Sequence, residues 1–150
     1  MITGSETVSA THAHELTMAV ASAAGAACDL ETVVARTAGV WRELLGEERF
    51  KLAELLARET SEGLDTAATR LWAATESLKK AGRPVGAALT MESNTTDGWV
   101  LLRSGALLIA TGAVVVGNAK TILVAAVAVR PSGNVRESSA PVEAIKLRTS

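Results

Sequence analysis

Asp29 and Glu31 stand one residue apart in an apolar run, and Trp72, Glu76 and Lys80 follow further along at four-residue spacing. In a strand over 27–33, side chains alternate faces, so Asp29 and Glu31 share one face while Leu30 points oppositely into the core. Two like charges that close repel each other and invite a cation. All-oxygen ligands suit Mg²⁺, which uses one or two carboxylates and completes its shell with water and substrate phosphate oxygens. In a helix, Trp72, Glu76 and Lys80 form a line on one face. Leu71, Ala74 and Leu78 form the neighbouring apolar stripe that docks on a sheet. Glu76 then sits at the margin of that contact, within reach of the strand carboxylates, and Lys80 one turn on can meet a phosphate. The plainer alternative is an exposed Glu-Lys pair, worth only about 0.3–0.5 kcal/mol, beside two unrelated acids. His12 lies seventeen residues before Asp29 in Ser9-Ala10-Thr11-His12, with His14 as a competitor for any role.

The elements that must hold these residues read as follows. Thr7–Thr11 is a short strand. Runs 16–22 and 27–33 form a hairpin around the small-residue turn 23–25. Residues 47–59 carry Phe50, Leu52, Leu55 and Leu56 as an amphipathic helical stripe. Asp65 is the expected N-cap of a helix over 66–81, which Gly82 and then Pro84 terminate. Strands follow at 86–92, 99–103, 106–116 and 121–129, with turns at 94–98 and 117–120. The chain turns polar from Pro131, which predicts a mobile tail. The expected fold is α+β, one domain over 1–150, with helices on one face of a mainly antiparallel sheet.

Composition narrows the function. The chain has 150 residues, 48% of them apolar, enough for a core. Its net charge of −1, without a basic block, argues against nucleic-acid binding. The single cysteine, Cys28, rules out an internal disulfide framework, fits a reducing, cytoplasmic setting, and reads as a buried small hydrophobe. No charged-then-apolar leader opens the sequence. The apolar stretch 106–129 is broken by Gly117-Asn118-Ala119-Lys120 into strand-length pieces, so paired strands are expected and a membrane span is not.

Three blocks together resemble the 4′-phosphopantetheinyl transferases. Ser9-Ala10-Thr11-His12 is similar to that family's Ser-His block. Ala27-Cys28-Asp29-Leu30-Glu31 resembles its Gly-Ile-Asp-Ile-Glu block, and Trp72 to Lys80 its Trp-x-x-Lys-Glu-x-x-x-Lys block. A closer likeness runs over 37–116, through WRELLGEERFKLAELLARETSEGLDTAATRLWAATESLKKAG and DGWVLLRSGALLIAT. It looks like the C-terminal transferase region of iterative polyketide synthases that build enediyne precursors. The lysine before the motif glutamate is Thr75 here, and the chain has the length of one lobe.

The resemblance implies transfer of phosphopantetheine from coenzyme A to a serine of an acyl carrier protein. It implies Mg²⁺ on Asp29, Glu31 and Glu76, with Asp29 and Glu76 as the catalytic pair and Glu76 taking the serine proton. Lys80 and His12 would bind phosphates, and Lys79 and Thr11 would belong to the same pocket. A single lobe implies a homo-oligomer, a trimer first. The alternatives are an inactive transferase-like docking or oligomerisation domain, and a thioester-handling hot-dog domain.

Overall fold

The computed structural model describes residues 7–13, 15–22, 25–95, 97–131 and 146–149. His14 and residues 132–145 lie outside that set. Strands β1 (Thr7–Ala13), β2 (Leu16–Ser22) and β3 (Ala26–Thr32) come first, then helices α1 (Ala38–Leu45), α2 (Glu47–Thr60) and α3 (Leu64–Lys80). Strands β4 (Thr90–Asn94), β5 (Trp99–Ser104), β6 (Leu107–Val116), β7 (Thr121–Val129) and β8 (Lys146–Thr149) complete the described elements. They form a five-stranded sheet in the order β3-β7-β6-β5-β4 and a three-stranded sheet β1-β2-β8, with every pairing antiparallel. The fold is α+β, as the residue pattern predicts.

The larger sheet is covered on both faces at its β3–β7 end. Residues opposite each other in a ladder share a face. Asp29 faces Ala126 and Glu31 faces Val124, whereas Cys28 faces Val127 and Ala26 faces Val129. Val124 and Ala126 pack with Leu71, Ala74 and Leu78 of α3, Phe50 and Leu56 of α2, and Trp41 of α1. On the reverse face, Cys28, Ala26 and Val127 pack against Met18 and Val20 of β2. Asp29 and Glu31 thus share a face, as expected, but α3 roofs that face, and Asp29 is only 6% exposed.

Helix α3 is rich in alanine, the residue that loses least on entering a helix. Ala67, Ala68, Ala73 and Ala74 let it lie close on the sheet, all of them fully buried. Its end follows the glycine-then-proline expectation. Gly82 takes φ +83°, its N–H bonds the Lys79 carbonyl at 3.0 Å, and the Arg83 N–H reaches back to Leu78 at 2.9 Å. This closure fixes the last turn, and with it Lys79 and Lys80.

Several expectations are corrected. Runs 16–22 and 27–33 do not form a hairpin. β2 pairs with β1 through a two-residue link, and β3 pairs with β7. Gly25, at φ +86°, turns the chain out of one sheet and into the other. Asp65 is not the N-cap of α3. Gly63 is, and the Asp65 carboxylate instead accepts from the Arg36 N–H at 3.0 Å and the Trp41 indole N–H at 2.8 Å. The strand expected at 86–92 begins only at Thr90, after turns around Gly82, Pro84 and Gly86. Helix α1 was not anticipated. Of the tail expected from Pro131, residues 132–145 lie outside the described residues, and 146–149 pair with β2 as β8. The 106–129 stretch is the β6–β7 pair, and among the described residues no helix is long and apolar enough to cross a membrane.

Candidate functional site

Strand β3 delivers Asp29 and Glu31 to the underside of α3, and α3 brings Trp72, Glu76, Lys79 and Lys80 to its margin. The Lys80 ammonium donates to Asp29 Oδ1 at 3.2 Å and to the Cys28 carbonyl at 3.0 Å. Asp29 Oδ2 is buried with no hydrogen-bond partner among the described residues. Glu31 is only half-buried, yet its carboxyl is pushed up from its ordinary 4.5 to about 7. Burial is the main cause. A hydrogen bond to Asp29 and the charges of Asp29 and Glu76 add to it, while the Trp72 indole opposes the rise by hydrogen-bonding to the ionised form. The three carboxylates therefore feel one another. With Asp29 and Glu31 both ionised, one Asp29 oxygen is left buried without a donor. A proton shared between the pair relieves it, and a cation would do the same.

Glu76 and Lys79 form a second pair, 2.8 Å apart, and the Lys79 ammonium lies 5.7 Å from the Trp72 ring centroid. Glu76 is thereby turned toward Lys79. Among the described residues no three His, Cys, Asp or Glu side chains are grouped to hold a metal ion. The donor set that fits Mg²⁺ is the two-carboxylate one, Asp29 with Glu31, whose buried orphan oxygen and mutual repulsion call for positive charge. Thr75 supplies no charge here: its side chain is buried and its hydroxyl donates to the Leu71 carbonyl at 2.8 Å.

The remaining candidates sit elsewhere. Ser9 and Thr11 lie on the inward face of β1, where Ser9 Oγ accepts from the Cys28 N–H at 3.1 Å and Thr11 is buried. His12 lies on the opposite, exposed face, hydrogen-bonded to Thr17 at 2.9 Å. The structure therefore joins Asp29, Glu31, Glu76, Lys79 and Lys80 in one cluster and leaves His12 and Thr11 outside its hydrogen bonds. Cys28 is buried, as expected, and burial raises its thiol pKa, so it behaves as packing.

The described residues form a cavity beside this cluster and another away from it. One of about 140 Å³ begins at Glu31 and Trp72 and reaches Trp41 and Arg36. A larger one, about 550 Å³, lies between the α1–α2 junction and residues 85–89. None of the cluster's carboxylates lines the larger cavity, and its one cation, Arg49, is engaged with the Val85 and Ala87 carbonyls, both at 2.9 Å. Arg36 and Trp41 escaped the sequence reading because α1 did. The available signal was Thr37, an N-cap residue whose hydroxyl accepts from Val40, ahead of Val40, Trp41, Leu44 and Leu45.

The Glu31 shift has a measurable consequence. In metal-free protein the folded state holds this proton more tightly than the unfolded chain does. The stability it confers is fully present below pH 4.5 and is lost as pH rises through about 7. Chemical denaturation in chelator across that window will show a falling contribution that Glu31→Gln removes. An identical pH slope in the variant would mean that Glu31 does not carry the proton.

No protein-family model, curated protein or solved structure matches the chain.

Proposed function

We propose that the protein is a Mg²⁺-dependent 4′-phosphopantetheinyl transferase that acts on an acyl carrier protein, in the setting of polyketide synthase activation. The observation that carries the reading is the Asp29–Glu31 pair under α3, with excess negative charge on one side and Lys80 on the other. Such a pair suits a cation-bound diphosphate better than it suits a packed core, where two neighbouring acids would cost stability.

In this reading Asp29 and Glu31 hold Mg²⁺, which supplies Lewis-acid and templating chemistry to the diphosphate of coenzyme A when bound. The serine oxygen of the carrier protein forms a bond to the β-phosphorus. The bond from that phosphorus to the bridging oxygen breaks, and adenosine 3′,5′-bisphosphate leaves. Glu76 takes the serine proton, which requires its carboxylate to leave Lys79. Lys80 and the freed Lys79 meet phosphate oxygens as point charges. His12 is exposed and available to the phosphates of a ligand held by a neighbouring subunit. A homo-oligomer, a trimer first, belongs to the same proposal, as does a cytoplasmic location. The face of β5 and β6 turned away from the helices carries Trp99, Leu101 and Leu108, all partly exposed, and an apolar surface of that kind suits subunit association.

A second reading is an inactive, transferase-like docking or oligomerisation domain. The engagement of Glu76 with Lys79 and the neutral Thr75 favour it. Isothermal titration separates the two. The transferase binds coenzyme A in Mg²⁺ and loses that binding in chelator, whereas a relic shows no metal-dependent heat.

A further inference from the structure

The cations at the end of α3 take different directions. Lys79 pairs with Glu76, and Lys80 with Asp29. Arg83 follows the helix, its backbone N–H fastened to the Leu78 carbonyl at 2.9 Å. Its side chain runs to the turn that joins β5 to β6. Gly105 in that turn has φ +56°, and a β-carbon there would stand 2.9 Å from Arg83 Nη2 and 3.4 Å from Cζ. The guanidinium thus occupies the space that a side chain at position 105 would fill.

No group among the described residues answers this charge. Arg83 Nε is buried with no hydrogen-bond partner, and the guanidinium makes no ion pair. Ser104, the neighbour of Gly105, is 1% exposed, and its Oγ is likewise buried without a partner. It ends β5 opposite Leu107, on the face that carries Leu102 and Ile109 into the core. Arg70 shows the contrast: its buried donors are filled by Glu62, Thr111 and Gly98. Among the described residues Arg83 is the one cation that is partly shielded from solvent and still lacks a partner. A shielded donor without an acceptor costs stability, and a charged one costs more.

We propose that the corner formed by Arg83, Ser104 and Gly105 binds a compact tetrahedral oxyanion of the phosphate class. A guanidinium offers a planar fork of N–H donors that matches phosphate oxygens. The Ser104 hydroxyl adds a neutral donor beside it. Arg83 is only partly buried and Gly105 is exposed, so a solute can reach the corner. The anion would supply the acceptors and the negative charge that the fold does not. The corner is separate from the carboxylate cluster. Asp29 lies on β3, and β7 stands between β3 and the β6–β5 pair. Strand spacings of about 4.8 Å therefore put the two roughly 10–14 Å apart. The inference does not depend on the transferase reading.

The test titrates inorganic phosphate into the full chain in chelator at constant ionic strength, and follows backbone amide resonances. The Gly105 amide is expected to shift and saturate, with sodium chloride producing no such change. Arg83→Met keeps the stem and removes every donor, and it should weaken phosphate at least about tenfold. Ser104→Ala should weaken it by less, and carries the test if Arg83→Met does not fold. Phosphoserine in a parallel titration identifies the source. Phosphate acting alone at Gly105 supports a site for the free anion, and phosphoserine acting as well supports one for a phosphoryl end group. Shifts confined to Lys79 and Lys80, equal shifts in chloride, or unchanged phosphate affinity in both variants overturn the site. So does a Gly105 amide that phosphate leaves unmoved, since water then suffices for these donors.

Discussion

Asp29→Asn will leave the protein folded and stop carrier-protein modification. The substitution keeps the shape of the side chain and removes its charge. In the folded protein Asp29 is buried, accepts from Lys80 through one oxygen and, among the described residues, has no donor for the other. Removing a buried charge whose second oxygen has no partner does not threaten the core, and Lys80, with 38% of its side chain exposed, can return to water. Thermal stability should be unchanged or higher, and the Glu31 carboxyl should fall back toward its ordinary value once the neighbouring charge has gone. The chemistry should suffer far more. Loss of a preorganised electrostatic group in an active site typically costs about 10²–10³ in rate, and a lost metal ligand at least that much. Rates of carrier-protein modification and a melting curve on the same preparation give both halves. Modification at near wild-type rate would remove Asp29 from the site.

Arg70→Met is expected to be the most damaging single change to the fold. Arg70 is buried in α3 and fully engaged. It donates to both oxygens of Glu62 at 2.8 and 3.1 Å, to the Thr111 carbonyl at 2.7 Å, to the Thr111 hydroxyl at 3.2 Å and to the Gly98 carbonyl at 3.1 Å. The side chain thus ties α3 to strand β6, to the turn before β5 and to the segment that precedes the helix. Methionine fills much of the volume but leaves Glu62 and the two carbonyls without their donor. Breaking a buried ion pair from one side costs roughly 3–5 kcal/mol. For a chain of this length that lowers Tm by about 10 °C. A drop of only a degree or two would show that water replaces the guanidinium without penalty.

The two predictions also mark what the residue pattern could and could not reveal. The shared face of Asp29 and Glu31 follows from the period of two along any strand, and it holds whichever strand lies beside it. The line of Trp72, Glu76 and Lys80 follows from the helical period in the same way. The end of α3 was legible because Gly82 and Pro84 act locally. Strand partners were not legible. Runs 16–22 and 27–33 adjoin in sequence, but their apolar residues meet face to face across two sheets rather than edge to edge in one. Asp65 looked like a cap because its type suits one, and its real partners, Arg36 and Trp41, come from a segment distant in sequence. The burial of Arg70 has no local signal, because its partners Glu62, Thr111 and Gly98 meet it only in the packed structure. The cavity beyond Glu31 combines residues from β3, α1 and α3, and only the packed structure assembles them.

The central claim is the transfer itself, and mass spectrometry of a carrier protein reads it directly. An apo acyl carrier protein from a polyketide synthase is incubated with the chain, coenzyme A and Mg²⁺. The expected result is a carrier heavier by one phosphopantetheine group, attached to serine, with adenosine 3′,5′-bisphosphate released in equal amount and no reaction in chelator. An unchanged carrier mass alongside demonstrable binding of Mg²⁺ and coenzyme A would contradict the account and leave a domain that holds the coenzyme without transferring it.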